Sequence, residues 1–469
     1  MNLEPIYRRL PAVLQNAAVS AEGWRIQRRR YCSDFPALQQ QVLSRELASP
    51  DEVRAVRDRR LAEFVLHAAT TVPYYRRLFA QLRLRPEDIR TLDDLQQLPI
   101  LTKDEVQQNP LDFHSSVGLR EPCLQGHTSG STGGGLQFPV TWAAHREQWA
   151  VWWRYRGAHG LKRGEPCLYF GGRSLVPLQR TRPPYWRRNW PGRQLMFSGY
   201  HLGPSTAAQY LDEVEKSGYR WIHGYPSLVS QLAYFARQLG RRPNIRWVTI
   251  GAESLLPQQA QLIETGLGVA PLQHYGMAEQ VANISQCPRG ALHVDEDFSA
   301  VEFVPQGDGT HRVIGTNFCN RAFPLIRYDV GDIATLSDGT CPCGRPGRLV
   351  SQIDGRVEDF IITRRGTMLG RLCHIFFDLI NVREAQLRQD RPGEMTVLVV
   401  RGDRYTEADE RQLYAEIFLR VGNDVTFDVQ YVNSIPRTKS GKLRFVVSSI
   451  RSGQITGKSL DDSCERDAA

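Results

Sequence analysis

Between Pro166 and Thr265 the chain alternates short apolar runs with helix-length stretches, and no other feature restricts the possible folds as strongly. The runs Pro166 to Gly171, Trp221 to Gly224 and Trp247 to Gly251 read as strands. Thr206 to Ser217, Pro226 to Leu239 and Pro257 to Thr265 read as helices between or after them. Strand and helix in strict alternation predict parallel βαβ units, because a parallel pair needs a crossover that a helix supplies. The fold class is α/β.

The flanks follow from the same periodicities. Residues 1–80 read as a mainly helical lead-in, with Val53, Val56, Leu61, Phe64, Val65 and Ala68 at helical spacing and a stop at Val72-Pro73. Thr102 is placed to cap a short helix, and Trp142 to Tyr155 predicts a tryptophan-rich one. Beyond Ser299 the pattern turns β-rich over Ala300 to Val304, Arg312 to Thr316 and Ile333 to Leu336. At 469 residues two or three domains are expected. We place a large N-terminal domain at 1–355 and a small mobile α+β domain at 356–452, with Val397 to Val400, a helix from Glu407 to Val421 and a strand from Phe427 to Val432. The polar residues 453–469 read as a disordered tail.

The stretch from His127 to Gly135 packs glycines and hydroxyls between two strand-like segments, Pro122 to Gln125 and Leu136 to Thr141. That is a hairpin with a glycine-rich tip, whose N–H groups and hydroxyls suit a phosphate; a Gly/Ser surface linker is the alternative. The composition, 41% hydrophobic and 23% charged, is that of a globular protein, with no apolar run of membrane-spanning length. An N-terminus charged at Glu4, Arg8 and Arg9 argues against a secretory signal. Nine cysteines, odd in number and mostly isolated, fit reduced thiols in the cytoplasm. The net charge of +9 collects around Arg25 to Arg30 and Arg187 to Arg193. We read these patches as solvated basic faces and expect no nucleic-acid partner.

Taken in order, the remaining motifs are Gly251-Ala252-Glu253, Tyr275-Gly276-Met277-Ala278-Glu279, Arg327-Tyr328-Asp329-Val330-Gly331-Asp332, Gly355-Arg356-Val357-Glu358-Asp359 and Pro436 to Arg444. With the glycine-rich stretch they resemble the core motifs of the adenylate-forming superfamily of acyl-CoA synthetases and adenylation domains. Val72-Pro73-Tyr74-Tyr75, Leu98 to Lys103 and Glu358 to Ile362 are similar to the phenylacetate–CoA ligase branch and its capsule-polysaccharide-biosynthesis (CapK-like) relatives.

The resemblance implies an ATP-dependent ligase that forms an acyl-AMP from a carboxylic acid and passes the acyl group to an acceptor, the thiol of CoA by default. An amine acceptor and a decayed ligase used as a binding protein are the alternatives. Thr128, Ser129, Gly130, Ser131, Thr132 and Gly133 would grip the phosphates, and Glu279 would hold Mg²⁺, a hard carboxylate for a hard ion. Tyr275 and Gly276 would face adenine opposite the Gly251, Ala252 and Glu253 shelf. Asp332 and Arg356 would meet the ribose or phosphates. Lys442 would bridge the carboxylate and the α-phosphate in the first step, and Glu358 marks the hinge of the small domain. Departures from the pattern are Ala278 in place of a hydroxyl residue, no lysine after the glycine-rich loop, and Thr363 to Gly370 where the CoA tunnel is expected.

His223, Tyr225 to Ser227 and His274 to Gly276 are expected to line the acid pocket. The basic, tryptophan-containing segment from Arg180 to Arg193 is expected to cover its mouth. Finally, Cys341-Pro342-Cys343 with Cys287 and His293 offers a Cys₃His set, the usual structural zinc ligands, with too few thiolates for a four-cysteine iron–sulfur cluster.

Overall fold

The structure is a computed structural model. It describes all residues except 1–3, 128–135, 172–174, 178–179, 308, 357–360, 365–367, 370–371, 377–378, 380, 437–442 and 451–469. The chain divides near Arg356 into two compact units.

Six helices lead the larger unit: α1 (Glu4–Arg9), α2 (Ala12–Arg30), α3 (Phe35–Ser44), α4 (Pro50–Thr71), α5 (Pro73–Leu82) and α6 (Lys103–Gln108). Their starts are chemically specified. Ser49 accepts from the Glu52 N–H while the Glu52 carboxylate takes the Ser49 N–H, and Thr102 and Glu105 repeat that box at α6. The expected hairpin follows as β1 (Cys123–His127) and β2 (Gln137–Thr141), antiparallel with His127 opposite Gln137. Its tip, carrying Thr128 to Gly133, lies outside the described residues. Thr141 then caps α7 (Trp142–Ala158) by accepting from the Ala144 N–H.

The alternating region forms β3 (Cys167–Phe170), β4 (Trp186–Asn189), β5 (Gln194–Phe197), α8 (Ala207–Ser217), β6 (Trp221–Gly224), α9 (Pro226–Gln238), β7 (Trp247–Ile250), α10 (Pro257–Leu267) and β8 (Pro271–Gly276). The chain continues through β9 (Asn283–Gln286), β10 (Leu292–Val294), β11 (Ser299–Pro305), β12 (His311–Asn317), β13 (Tyr328–Ser337) and β14 (Leu349–Arg356). Together β3 to β14 make one twelve-stranded sheet in the order β11-β12-β13-β14-β10-β9-β8-β7-β6-β3-β5-β4. Strands β5, β3, β6, β7 and β8 run parallel; β8 is also antiparallel to β9, so it joins a parallel half to an antiparallel half.

The parallel half is covered on both faces, as parallel sheets require. Leu168, Phe170, Ile222, Val248 and Ile250 pack with residues of α8, α9 and α10, while Cys167, Trp221 and Trp247 pack with Phe35, Val42, Ala150, Val151 and Trp153 from α3 and α7.

One expectation fails here. The basic segment before Arg193 does not cover a site mouth; it contains the edge strand β4. Arg187 is fully buried and donates from Nε to Gln15 at 2.7 Å, while Asn16 and Ser20 of α2 take the Arg188 and Trp190 N–H groups. An edge strand needs partners for its unpaired backbone, and α2 supplies them. Part of the other basic patch is also packed: Arg30 lies 3.7 Å from the Trp149 ring centroid and Arg29 5.5 Å from that of Trp142.

The smaller unit holds β15 (Ile361–Ile362), β16 (Met368–Leu369), β17 (Val382–Arg391), β18 (Glu394–Arg401), α11 (Glu407–Val421), β19 (Thr426–Tyr431) and β20 (Val446–Ser448). Its four-stranded sheet runs β19-β18-β17-β20, with Leu413, Ile417 and Val421 of α11 in the core. Lys442 and Glu358 lie outside the described residues. No helix among those described is long and apolar enough to cross a membrane.

Candidate active site

Two of the candidate nucleotide residues are in direct contact. Tyr275, on β8, donates its hydroxyl to Asp332 Oδ2 at 2.7 Å. Asp332 on β13 stands opposite Arg356 on β14 in register. Positions 332 and 356 are thereby joined by strand pairing, and 275 reaches 332 through its hydroxyl.

The shelf at the end of β7 is present too, with Ala252 at φ +69°. Such a conformation is uncommon for a residue with a Cβ and clusters at functional sites. The Glu253 carboxylate accepts from the Ser227 N–H at 3.2 Å, so this side chain serves the N-terminus of α9. At Gly276 an added Cβ would come within 2.9 Å of Asn283 Oδ1 and of the His274 ring, which explains the glycine. Glu279 sits in the turn after β8; Asn317 donates to its carbonyl at 3.1 Å, and the next residue, Gln280, has φ +61°. Gln148 of α7 donates to the Met277 carbonyl at 2.9 Å and accepts from Gln280 at 3.2 Å, fixing this turn against the helix.

Between α7 and strands β6 to β8 lies the region expected to take the acid. His223 Nδ1 is 2.9 Å from Thr249 Oγ1, which also takes the Trp221 indole N–H at 2.8 Å. The His274 ring lies 5.2 Å from Trp152 and 5.5 Å from Tyr155, and its Nε2 donates to Asn283 Oδ1 at 2.9 Å. Asn283 is itself fixed, accepting from the Trp152 indole and donating to Asp295 Oδ2 at 2.5 Å. Burial, reinforced by the positive charge of Arg156, pushes His223 down to about 3. Burial also lowers His274 to about 4, against an upward pull from Asp295 and with a downward push from Arg156. Both imidazoles are therefore neutral near pH 7. Sequence reasoning singled out the two histidines but missed Thr249, Asn283, Tyr155 and Arg156. The last two sit in an apolar helical pattern that reads as core, and only the close approach of helix to sheet reveals them.

A cavity of about 320 Å³ lined by Arg60, Glu147, Phe318 and Cys319, among others, contains none of the expected site residues.

The Cys₃His set does assemble. The ligand atoms of Cys287, His293, Cys341 and Cys343 lie within 4.8 Å of one another. Cys287 Sγ and Cys341 Sγ are 3.7 Å apart, and Cys343 Sγ is 3.4 Å from His293 Nε2. A tetrahedral zinc with Zn–S of about 2.3 Å and Zn–N of about 2.0 Å has edges of roughly 3.8 Å and 3.5 Å, so the donor set fits that ion. Burial and the charge of Arg345 lower His293, keeping the imidazole in its ligating form. The pairing of β10 with both β9 and β14 brings the two halves of the set together.

The two-halved sheet, the β1–β2 hairpin and the Tyr275–Asp332–Arg356 alignment can be set beside the proteins to which this chain is similar. Its relatives include CapK and phenylacetate–CoA ligases. Staphylococcus aureus protein CapK is 24% identical over 457 residues, 96% of this chain and 100% of its own length. A phenylacetate–CoA ligase of Escherichia coli is 26% identical over 358 residues, 68% of this chain and 74% of its own. Residues 361–449 match the CapK C-terminal domain. Among solved structures, a 2-hydroxyisobutyryl-CoA ligase in the postadenylation state superposes with a TM-score of 0.67 at 19% identity, covering 88% of this chain and 92% of that one.

Proposed function

We propose that this protein activates a carboxylic acid at the expense of ATP. A carboxylate oxygen of the acid attacks the α-phosphorus of ATP, the bond to the pyrophosphate oxygen breaks, and acyl-AMP forms. The CoA thiol, giving up its proton, then attacks the acyl carbon and AMP leaves. The meeting of Tyr275, Asp332 and Arg356 beside a pocket region of neutral histidines carries this reading, and the named ligases among the relatives support it.

In the first step negative charge builds on the transferring phosphorus and the leaving pyrophosphate, so donors fixed beforehand are effective. Thr128, Ser129, Ser131 and Thr132, with the amides of Gly130 and Gly133, supply them. Glu279 would hold Mg²⁺, a hard ion that would supply positive charge beside the phosphates. Tyr275 and Gly276 offer a flat surface to adenine against the Gly251 and Ala252 backbone. Asp332 accepts from the ribose hydroxyls, with Arg356 alongside. Lys442 spans the carboxylate and the α-phosphate, and Glu358 is the pivot about which residues 356–452 reorient between the half-reactions. An enzyme drawing on ATP and CoA works in the cytoplasm.

Acid-dependent pyrophosphate release, measured with and without CoA, tests the reading. Product beyond acyl-AMP in the absence of CoA would show an amine acceptor instead. Lys442→Ala is expected to abolish acyl-AMP formation, a loss of roughly 100-fold or more, while thioester formation from supplied acyl-AMP continues. Equal loss of both half-reactions removes Lys442 from its role.

We further assign zinc to Cys287, His293, Cys341 and Cys343, with a structural role. Metal analysis is expected to return one zinc per chain for the wild type and none for Cys343→Ser. A full zinc complement in that variant would refute the ligand set.

A further inference from the structure

Arg156 extends from the last turn of α7 into the layer between helix and sheet. It is only 4% exposed, and among the described residues its Nε and Nη1 atoms have no hydrogen-bond partner. The rings of Trp149, Trp153 and Trp221 surround it, their centroids 5.4, 5.0 and 5.2 Å from Cζ. The ionisable groups that face it are Tyr31, Tyr155, Cys167, His223 and His274, with no carboxylate among them. Beside it the Tyr155 hydroxyl is also buried and without a partner among the described residues.

A buried ion without a counter-ion is expensive, by several kcal/mol. Contacts with three indole faces return about 0.5–2 kcal/mol each, and the negative end of α7 adds up to about 1 kcal/mol. These contacts explain how the guanidinium tolerates burial, yet they use none of its N–H donors in a hydrogen bond. Two guanidinium nitrogens and a phenol, unpartnered in one place, present donors for an acceptor with more than one oxygen. The place adjoins two side chains expected to line the acid pocket: Tyr155 lies 5.5 Å from His274, and Trp221, over which Arg156 packs, lies 6.2 Å from His223. With both histidines neutral, Arg156 is the cation there among the described residues.

We infer that Arg156 and Tyr155 bind a second carboxylate at the far end of the acid, so that the substrates are dicarboxylic acids. A charge-assisted pair at a site closed to water discriminates strongly against an acid lacking the second carboxylate. The inference rests on the acid-activation reading above.

The test is ATP–pyrophosphate exchange by the full chain with matched acids of equal length ending in a carboxylate or a methyl group, for the wild type, R156Q and R156K. The wild type is expected to favour the dicarboxylic acid. R156Q should lose roughly 100-fold in kcat/KM on it while changing by no more than about threefold on the methyl-ended acid, and R156K should recover part of the loss. Saturating dicarboxylate should raise the melting temperature of the wild type and leave that of R156Q unmoved, a readout independent of turnover. An equal fall on both acids in R156Q, or a wild type that prefers the methyl-ended acid, overturns the inference and leaves acid activation standing. No exchange with any acid, together with a dicarboxylate-induced melting shift confined to the wild type, retires the activation reading and keeps the anion site. The absence of both signals overturns both.

Discussion

Arg154 and Arg156 are two residues apart on α7 and almost equally buried, at 3% and 4% exposure, yet their surroundings are opposite. Arg154 donates to Asp297 from both Nη atoms at 2.9 Å and to Asp295 at 2.8 Å, within a cluster where Arg57 and Arg348 also hold Glu296 and Arg345 meets Asp295. Arg156 faces indoles, phenols and neutral histidines. Among the described residues, every carboxylate of the run Asp295-Glu296-Asp297 has an arginine, whereas Arg156 has no carboxylate. A charge pair satisfied within the fold reads as structural; a buried cation left without one at a pocket reads as awaiting a ligand.

The largest expected effect is on the satisfied side. Arg154→Gln removes the cation shared by two buried carboxylates, leaving Asp295 with Arg345 and Asp297 with Arg45, and is expected to lower stability by about 3 kcal/mol, read from the denaturant midpoint. An unchanged midpoint would break the contrast.

Next is pH. In His223 and His274 the protonated form is disfavoured by folding, so the unfolded chain binds more protons below about pH 6.5. Their contribution to stability is complete above that pH and is lost as pH falls toward their folded values of about 4 and about 3. By pH 5 the loss should be roughly 2 kcal/mol per histidine. Asp297 behaves differently: burial pulls it up, but Arg154, Arg45 and Arg60 overcome this and hold it at about 2. Its contribution is therefore intact at pH 5 and falls only from about pH 4 downward. Melting temperatures between pH 7 and pH 3 should show two phases, with the upper one shallower in a His223→Gln, His274→Gln double variant. A single loss confined below pH 4 would contradict the neutral-histidine assignment.

The smallest effect belongs to Arg156→Gln, expected to change stability by less than about 1 kcal/mol in either direction, since removing an unpaired buried charge relieves desolvation as it removes indole contacts. A loss matching that of Arg154→Gln would make Arg156 structural as well.

Much of the fold was legible in the residues. The strand Trp221 to Gly224 and the helix Glu407 to Val421 fall on the residues their periodicity indicated. Thr102 caps α6 because the cap and its Glu105 partner are neighbours in sequence. The Arg180 to Arg193 segment misled, because charge and tryptophan read as surface, while the burial of Arg187 depends on Gln15, 172 residues away.

Sequence alone thus determined the alternation that builds the parallel half, the ordered motifs and the donor types of the Cys₃His set, since each depends on local spacing or residue chemistry. Only the tertiary structure decided that Tyr275 meets Asp332, that Cys287 lies beside Cys341, and that Arg154 has its acids while Arg156 has none. Those facts arise where distant strands pair and one helix closes on a sheet, and a buried charge acquires its meaning from whatever that closure places beside it.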